Sequence, residues 1–122
     1  ETGPARSFFE KFADKWVLMI IYRLHQDSQH FNELKKNLTG ISPKVLSQKL
    51  KILERDGFIT RTIHENNVIR VEYALTSLGF EFAQTALSFK LWAEGNVQHV
   101  IRAQKQFDAI QAKNEPALLQ EA

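Results

Sequence analysis

Between Ile41 and Gly57 the apolar positions recur at helical spacing, with Leu46, Leu50 and Leu53 at i, i+4 and i+7 and Val45 flanking them. Lys44, Ser47, Gln48 and Lys51 share the opposite side, a stripe of cations and hydrogen-bonding groups without an acid. Ser42 is a natural N-cap, Pro43 suits the first helical position, and Gly57 stands just past the end. Upstream, Phe8, Phe9 and Phe12 predict a short helix from about Ala5 to Ala13. Asp14 caps a second, Lys15 to about His25, with Trp16, Val17, Ile20, Ile21 and Leu24 on a broad apolar face. Gln29-His30-Phe31 reads as a very short strand, after which Asn32 caps a helix running through Leu38. Leu34 and Leu38 point inward on it, Lys35 and Lys36 outward, and Gly40 supplies a left-handed residue in the connection that follows.

Downstream the period changes from helical to strand-like. Phe58 to His64 and Val68 to Thr76 are rich in β-branched and aromatic residues, and the polar turn Glu65-Asn66-Asn67 separates them. In the second run Ile69, Val71, Tyr73 and Leu75 alternate with Val68, Arg70, Glu72 and Ala74, as a half-buried strand requires. Thr76 then caps a helical stretch from Leu78 to Lys113, with Gly95-Asn96 the expected break, and the chain from Glu115-Pro116 onward reads as a frayed tail. Two short helices joined by a glycine turn and followed at once by a hairpin form a winged helix-turn-helix. The fold class is therefore mainly α with a small β-hairpin wing. Residues 4–113 make one domain, residues 1–3 read as a vector remnant, and residues 114–122 are the tail.

The net charge of +2 over 122 residues is unremarkable until it is divided along the chain. Eight bases against four acids lie between residues 28 and 70, the segment holding the basic helix, whereas the remainder is balanced or slightly acidic. That asymmetry suits a polyanionic partner. No run approaches the length of a membrane span, no secretory signal is evident, and a cytoplasmic location is expected. With no cysteine, disulfides, thiolate catalysis and cysteine zinc sites are excluded for these residues. The four histidines lack metal-ligand spacing, and neither a glycine-rich phosphate loop nor a nucleophile elbow is present, so neither metal nor cofactor is expected and the chain reads as a non-enzyme.

The candidate partner is double-stranded DNA. Ser42, Pro43, Lys44, Ser47, Gln48 and Lys51 are the reading-helix candidates, with Arg61, Asn66, Asn67 and Arg70 on the wing. Glutamine suits adenine, serine is permissive, and a lysine near a helix start reaches guanine or phosphate. Arg70 has an alternative, pairing with Glu72 or Glu65, and the two asparagines also suit a simple turn. Phe8, Phe9, Phe12, Phe89, Trp92 and Val100 belong to an apolar surplus larger than one small core needs, which is most simply covered by a homodimer. Effector gating extends this reading; the rival from another class is a winged helix used as a protein-interaction module.

Lys15-Trp16, Phe31-Asn32-Glu33-Leu34, Ile41 through Gln48, Leu53-Glu54-Arg55-Asp56-Gly57, Arg70 through Thr76 and Leu78-Gly79 together resemble the HxlR-type winged helix-turn-helix transcriptional regulators. The likeness runs in order from roughly Pro4 to Trp92. It implies a small dimeric bacterial or archaeal regulator whose terminal helices form the dimer and whose paired reading helices enter successive major grooves. Three departures stand out. Many members carry a cysteine before the proline matching Pro4, where this chain has Gly3, so thiol sensing has no support in these residues. Wing prolines common in the family are replaced by Glu65, Val68 and Ile69. Finally, about thirty residues follow Trp92, where many members soon stop.

Overall fold

Leucines and isoleucines at helical spacing have to be buried against something, and here they converge on one another. The computed structural model describes residues 3–66 and 68–121, with side chains through Glu115. The elements are α1 (Pro4–Phe12), α2 (Lys15–Gln26), β1 (Gln29–His30), α3 (Phe31–Asn37), α4 (Pro43–Arg55), β2 (Ile59–Glu65), β3 (Ile69–Leu75) and α5 (Ser77–Glu121). The chain divides into two compact units, Glu1–Leu87 and Ser88–Ala122. All elements but the later part of α5 belong to the first, a mainly helical unit with a winged helix-turn-helix order.

In that unit Val17, Ile20, Ile21 and Leu24 of α2 meet Leu34 and Leu38 from the α3 region and Leu46, Leu50 and Leu53 of α4. Each is at most 2% exposed, so each contributes on the order of 1.5–3 kcal/mol of transfer free energy. Phe58, Ile59, Tyr73, Leu75 and Ala83 close the core from the hairpin and the start of α5. The sheet is antiparallel in the order β1-β3-β2. Ile59 faces Leu75 at the hairpin base and Glu65 faces Ile69 near its tip. β1 adds only Gln29 opposite Tyr73 and His30 opposite Glu72. The expected alternation on β3 holds at its base, where Tyr73 and Leu75 are buried; the tip overhangs the core and Ile69 is exposed.

Two details differ from the sequence expectations. α3 begins two residues earlier than expected, because extended His30 rather than Asn32 precedes it, and Glu33 Oε1 accepts the His30 N–H at 2.8 Å. A Glu reaching back to the cap residue satisfies an otherwise orphaned donor, which moves the helix start. α5 also continues through Gly95 and Asn96 without a break, and on over residues 114–121. One glycine costs a helix only about 1 kcal/mol, and Asn96 Nδ2 donates to the Trp92 carbonyl at 2.8 Å without interrupting the helix.

Candidate nucleic-acid interface

α4 is held from both ends and from beneath. Ser42 Oγ accepts the Val45 N–H at 3.1 Å and Pro43 opens the helix, as the sequence predicts. Gly40 and Gly57, on either side, both take positive φ, 91° and 85°, conformations that glycine adopts without steric penalty. Past the end, Thr76 Oγ1 donates to the Gly57 carbonyl at 2.6 Å while accepting the Gly79 N–H at 3.1 Å. Thr76 therefore both caps α5 and fastens its start to the end of α4.

With Leu46, Leu50 and Leu53 buried, the geometry of the helix turns Lys44, Ser47, Gln48 and Lys51 outward, and all four are exposed together with Ser42 and Pro43. None of these six side chains is tied up in an ion pair among the described residues. Glu54, also exposed, lies just beyond this acid-free stripe.

Lys49 behaves differently. Its Nζ donates to Asp14 Oδ2 at 2.9 Å, while Asp14 Oδ1 accepts the Trp16 and Val17 N–H groups at 2.8 and 3.1 Å. One carboxylate thus caps α2 and grips the middle of α4. Partial burial pushes the Asp14 carboxyl up, but the Lys49 hydrogen bond and charge and the two backbone donors outweigh it and hold it below the ordinary aspartate value. Lys49 is not among the outward residues read from the sequence. Its partner is 35 positions away, and no local pattern announces such a contact. At the C-terminal end Lys11 of α1 lies 3.7 Å from Asp56, which follows α4 directly.

Arg61, Asn66 and Arg70 are exposed on the wing, and Asn67 lies outside the described residues. Arg61 faces Tyr73 across the ladder and Arg70 faces His64. Directly opposed residues share a face and alternate residues switch faces, so the two arginines project from opposite sides of the hairpin. The alternative pairing of Arg70 with Glu72 or Glu65 is not made. Glu72 instead meets His64 Nε2 at 3.1 Å and accepts from Ser28 Oγ at 3.1 Å, and these two contacts hold its carboxyl below the usual glutamate value.

Of the residues expected at a subunit seam, Phe8 and Phe9 are 41% and 72% exposed, and Phe89, Trp92 and Val100 are exposed on the second unit. Phe12 is only 3% exposed and belongs to the core. Its ring stacks on Phe8 at 4.4 Å and packs against Phe58 at 4.6 Å and Phe82 at 5.3 Å. The third aromatic of the amphipathic α1 is the one that anchors that helix. A groove beside this cluster is floored by Phe8, Phe58, Leu78 and Phe82. Among the described residues no group of three or more potential ligands could hold a metal ion, and no helix is long and apolar enough to cross a membrane.

Comparison with known proteins agrees with this layout. Residues 12–101 match the family described as HxlR-like helix-turn-helix. The uncharacterized HTH-type transcriptional regulator YtfH of Escherichia coli (strain K12) is 31% identical over 101 residues, covering 83% of this chain and 80% of the relative. The corresponding figures for the uncharacterized HTH-type transcriptional regulator YvaP of Bacillus subtilis (strain 168) are 36% over 89 residues, 70% and 82%. Among solved structures, ytfH from Salmonella typhimurium superposes with a TM-score of 0.77 at 29% identity, covering 84% of this chain and 91% of that one. The redox regulator HypR in its reduced form superposes at 0.73 and 27% identity, covering 83% and 99%.

Proposed function

The chain belongs to the HxlR-like helix-turn-helix family of transcriptional regulators, and from that premise we propose that it binds a specific inverted-repeat DNA operator as a homodimer. The observation that carries this reading is the exposed, acid-free stripe of Lys44, Ser47, Gln48 and Lys51 on a helix whose other side is locked into the core. In the proposed complex α4 lies in the major groove. Lys44 and Lys51 contact phosphate or guanine, Gln48 reads adenine through its bidentate amide, and Ser47 tunes the neighbouring position. Ser42 and Pro43 bring the N-terminus of α4, the positive end of its dipole, close to the backbone. On the wing, Asn66, Asn67 and one of the oppositely projecting Arg61 and Arg70 reach adjacent phosphates or the minor groove.

Phe8, Phe9, Phe89, Trp92 and Val100 supply the dimer contacts in this reading. A two-fold dimer places its reading helices about 34–36 Å apart, or a multiple of that. The protein acts in the cytoplasm by binding rather than by catalysis. The aromatic groove at Phe8, Phe58, Leu78 and Phe82 is where an apolar effector would enter. Fluorescence anisotropy on promoter fragments from around the gene, with unrelated DNA of equal length as control, tests the proposal. Gln48→Ala is expected to weaken specific binding by about 1–3 kcal/mol and to relax the preference at one base position. If neither Gln48→Ala nor Lys51→Ala weakens binding, α4 is not the reading helix, and the protein-interaction role takes its place.

A further inference from the structure

One side of the wing gathers ionisable groups. In the register of the sheet His30, Glu72 and Thr62 lie side by side across the three strands, and His64 stands opposite Arg70 in the next row toward the tip. Residues two apart on a strand share a face, so these five side chains project from the same side. The other side, from which Arg61 projects, buries Tyr73 and Leu75 at its base and carries Ile63, Val71 and Ile69 toward the tip. The Arg70 side is therefore the polar one, and Thr62, His64 and Arg70 on it are exposed.

Among the described residues Glu72 is the one acid that the strands place on this side. Its Oε1 lies 3.1 Å from His64 Nε2 and its Oε2 accepts from Ser28 Oγ at 3.1 Å, while Asp27 Oδ1 accepts the Ser28 N–H at 2.8 Å. His30 Nδ1 lies 3.4 Å from the Val71 carbonyl, and its backbone N–H goes to Glu33 of α3. Arg70 makes no ion pair among the described residues. Held below the usual glutamate value, the Glu72 carboxyl stays ionised through the range in which a histidine titrates. An ionised carboxylate only accepts, so Nε2 carries the proton of the neutral His64 ring. Acid then adds the second proton at Nδ1, the nitrogen turned away from Glu72.

With both histidines neutral, Arg70 and Glu72 cancel; with both protonated, three cations stand against one carboxylate. We propose that this side of the wing is a pH-dependent phosphate-binding surface, with His64 as its titrating group and Glu72 as the residue that positions the imidazole beside Arg70. The inference rests on the DNA-binding reading above and adds to it a side of the wing and a proton. Beside phosphate the imidazolium is favoured over the neutral ring, so the bound wing takes up the proton more readily than the free one. Affinity for the duplex therefore rises as pH falls through the histidine range.

Anisotropy titrations of the full chain against a fluorescein-labelled duplex of arbitrary sequence, at one low ionic strength and at pH 8 and pH 6, test the proposal. Phosphate contacts do not depend on sequence, so no operator is needed. The wild type is expected to bind at least about fivefold tighter at pH 6, with a salt slope more negative by about 0.9 for each histidine gained per bound subunit. His64→Gln, which keeps a donor toward Glu72, should lose at least half of the gain on a logarithmic scale, and His99→Gln on α5 should keep all of it. His64→Lys, with a fixed charge at an exposed site, should bind tightly at both pH values. Glu72→Gln should tighten binding at pH 8, whereas a purely structural clamp would weaken it when loosened. A wild type that binds equally at both pH values, or a His64→Gln variant with undiminished pH dependence, overturns the switch and leaves the reading helix standing. Absence of binding at either pH overturns both.

Discussion

Asp14 shows how much a single side chain can carry. Its one carboxylate caps α2 with two backbone hydrogen bonds and receives Lys49 from α4. Removing an N-cap acceptor costs about 0.5–2 kcal/mol, and Asp14→Ala also strands a half-buried lysine, so a loss at or above the top of that range is expected in urea denaturation. The pH dependence follows from the depressed carboxyl. In the unfolded chain an aspartate titrates near ~3.9. Because the folded value lies lower, the unfolded state binds the proton more readily. The contribution is complete above the unfolded value and is lost as pH falls through the folded one. Asp14→Asn, which can still cap but cannot titrate, should lose less stability between pH 5 and pH 3 than the wild type does. Equal acid sensitivity would remove Asp14 from the account. Gly79 is the other decisive residue: a Cβ there would be driven into the Phe58 carbonyl. Gly79→Ala is expected to cost about 1–3 kcal/mol despite alanine's better helix propensity.

At the scale of elements, α5 provides the opposite case. Gly95 has nothing within 4 Å of where a Cβ would stand, so only propensity acts there. Gly95→Ala should therefore add up to about 1 kcal/mol and raise the thermal midpoint, whereas the same change at Gly79 lowers it. α4 separates two duties by face. Leu50→Ala empties a site that is 2% exposed and should cost about 2–5 kcal/mol in chemical denaturation. Gln48→Ala, on the outer face, should leave stability within about 0.5 kcal/mol and register only in DNA binding. The wing divides its arginines in the same manner, one to each side, so a duplex lying against a single face of the hairpin would meet only one of them.

For the whole molecule the expectations concern symmetry and salt. Each phosphate neutralised on duplex DNA adds about −0.9 to the slope of log K against log salt. Lys51→Gln, if that lysine meets phosphate, removes one contact from each of the two subunits and should therefore make the slope about two units less negative across all sequences. Two reading helices related by a two-fold axis also impose helical phase on the operator. Inserting about 5 base pairs between half-sites turns one of them to the opposite side of the duplex and should abolish simultaneous binding by both copies. Binding indifferent to phase would mean that one copy reads the DNA alone.

What the sequence determined by itself was local. Capping residues, helical and strand periods, and glycines at turns act over a few positions, so the order of elements, the two faces of α4 and the half-buried base of β3 were all legible there. The family likeness was legible for the same reason, since its motifs are runs of neighbours. Tertiary structure decided what depends on residues far apart. It made Lys49 the partner of Asp14, moved Phe12 from the seam into the core, and gave Glu72 to His64 and Ser28 rather than to Arg70. It also made Gly79 irreplaceable through the Phe58 carbonyl. Each of these is a contact between distant positions, and its geometry exists only once the buried leucines have brought the helices together.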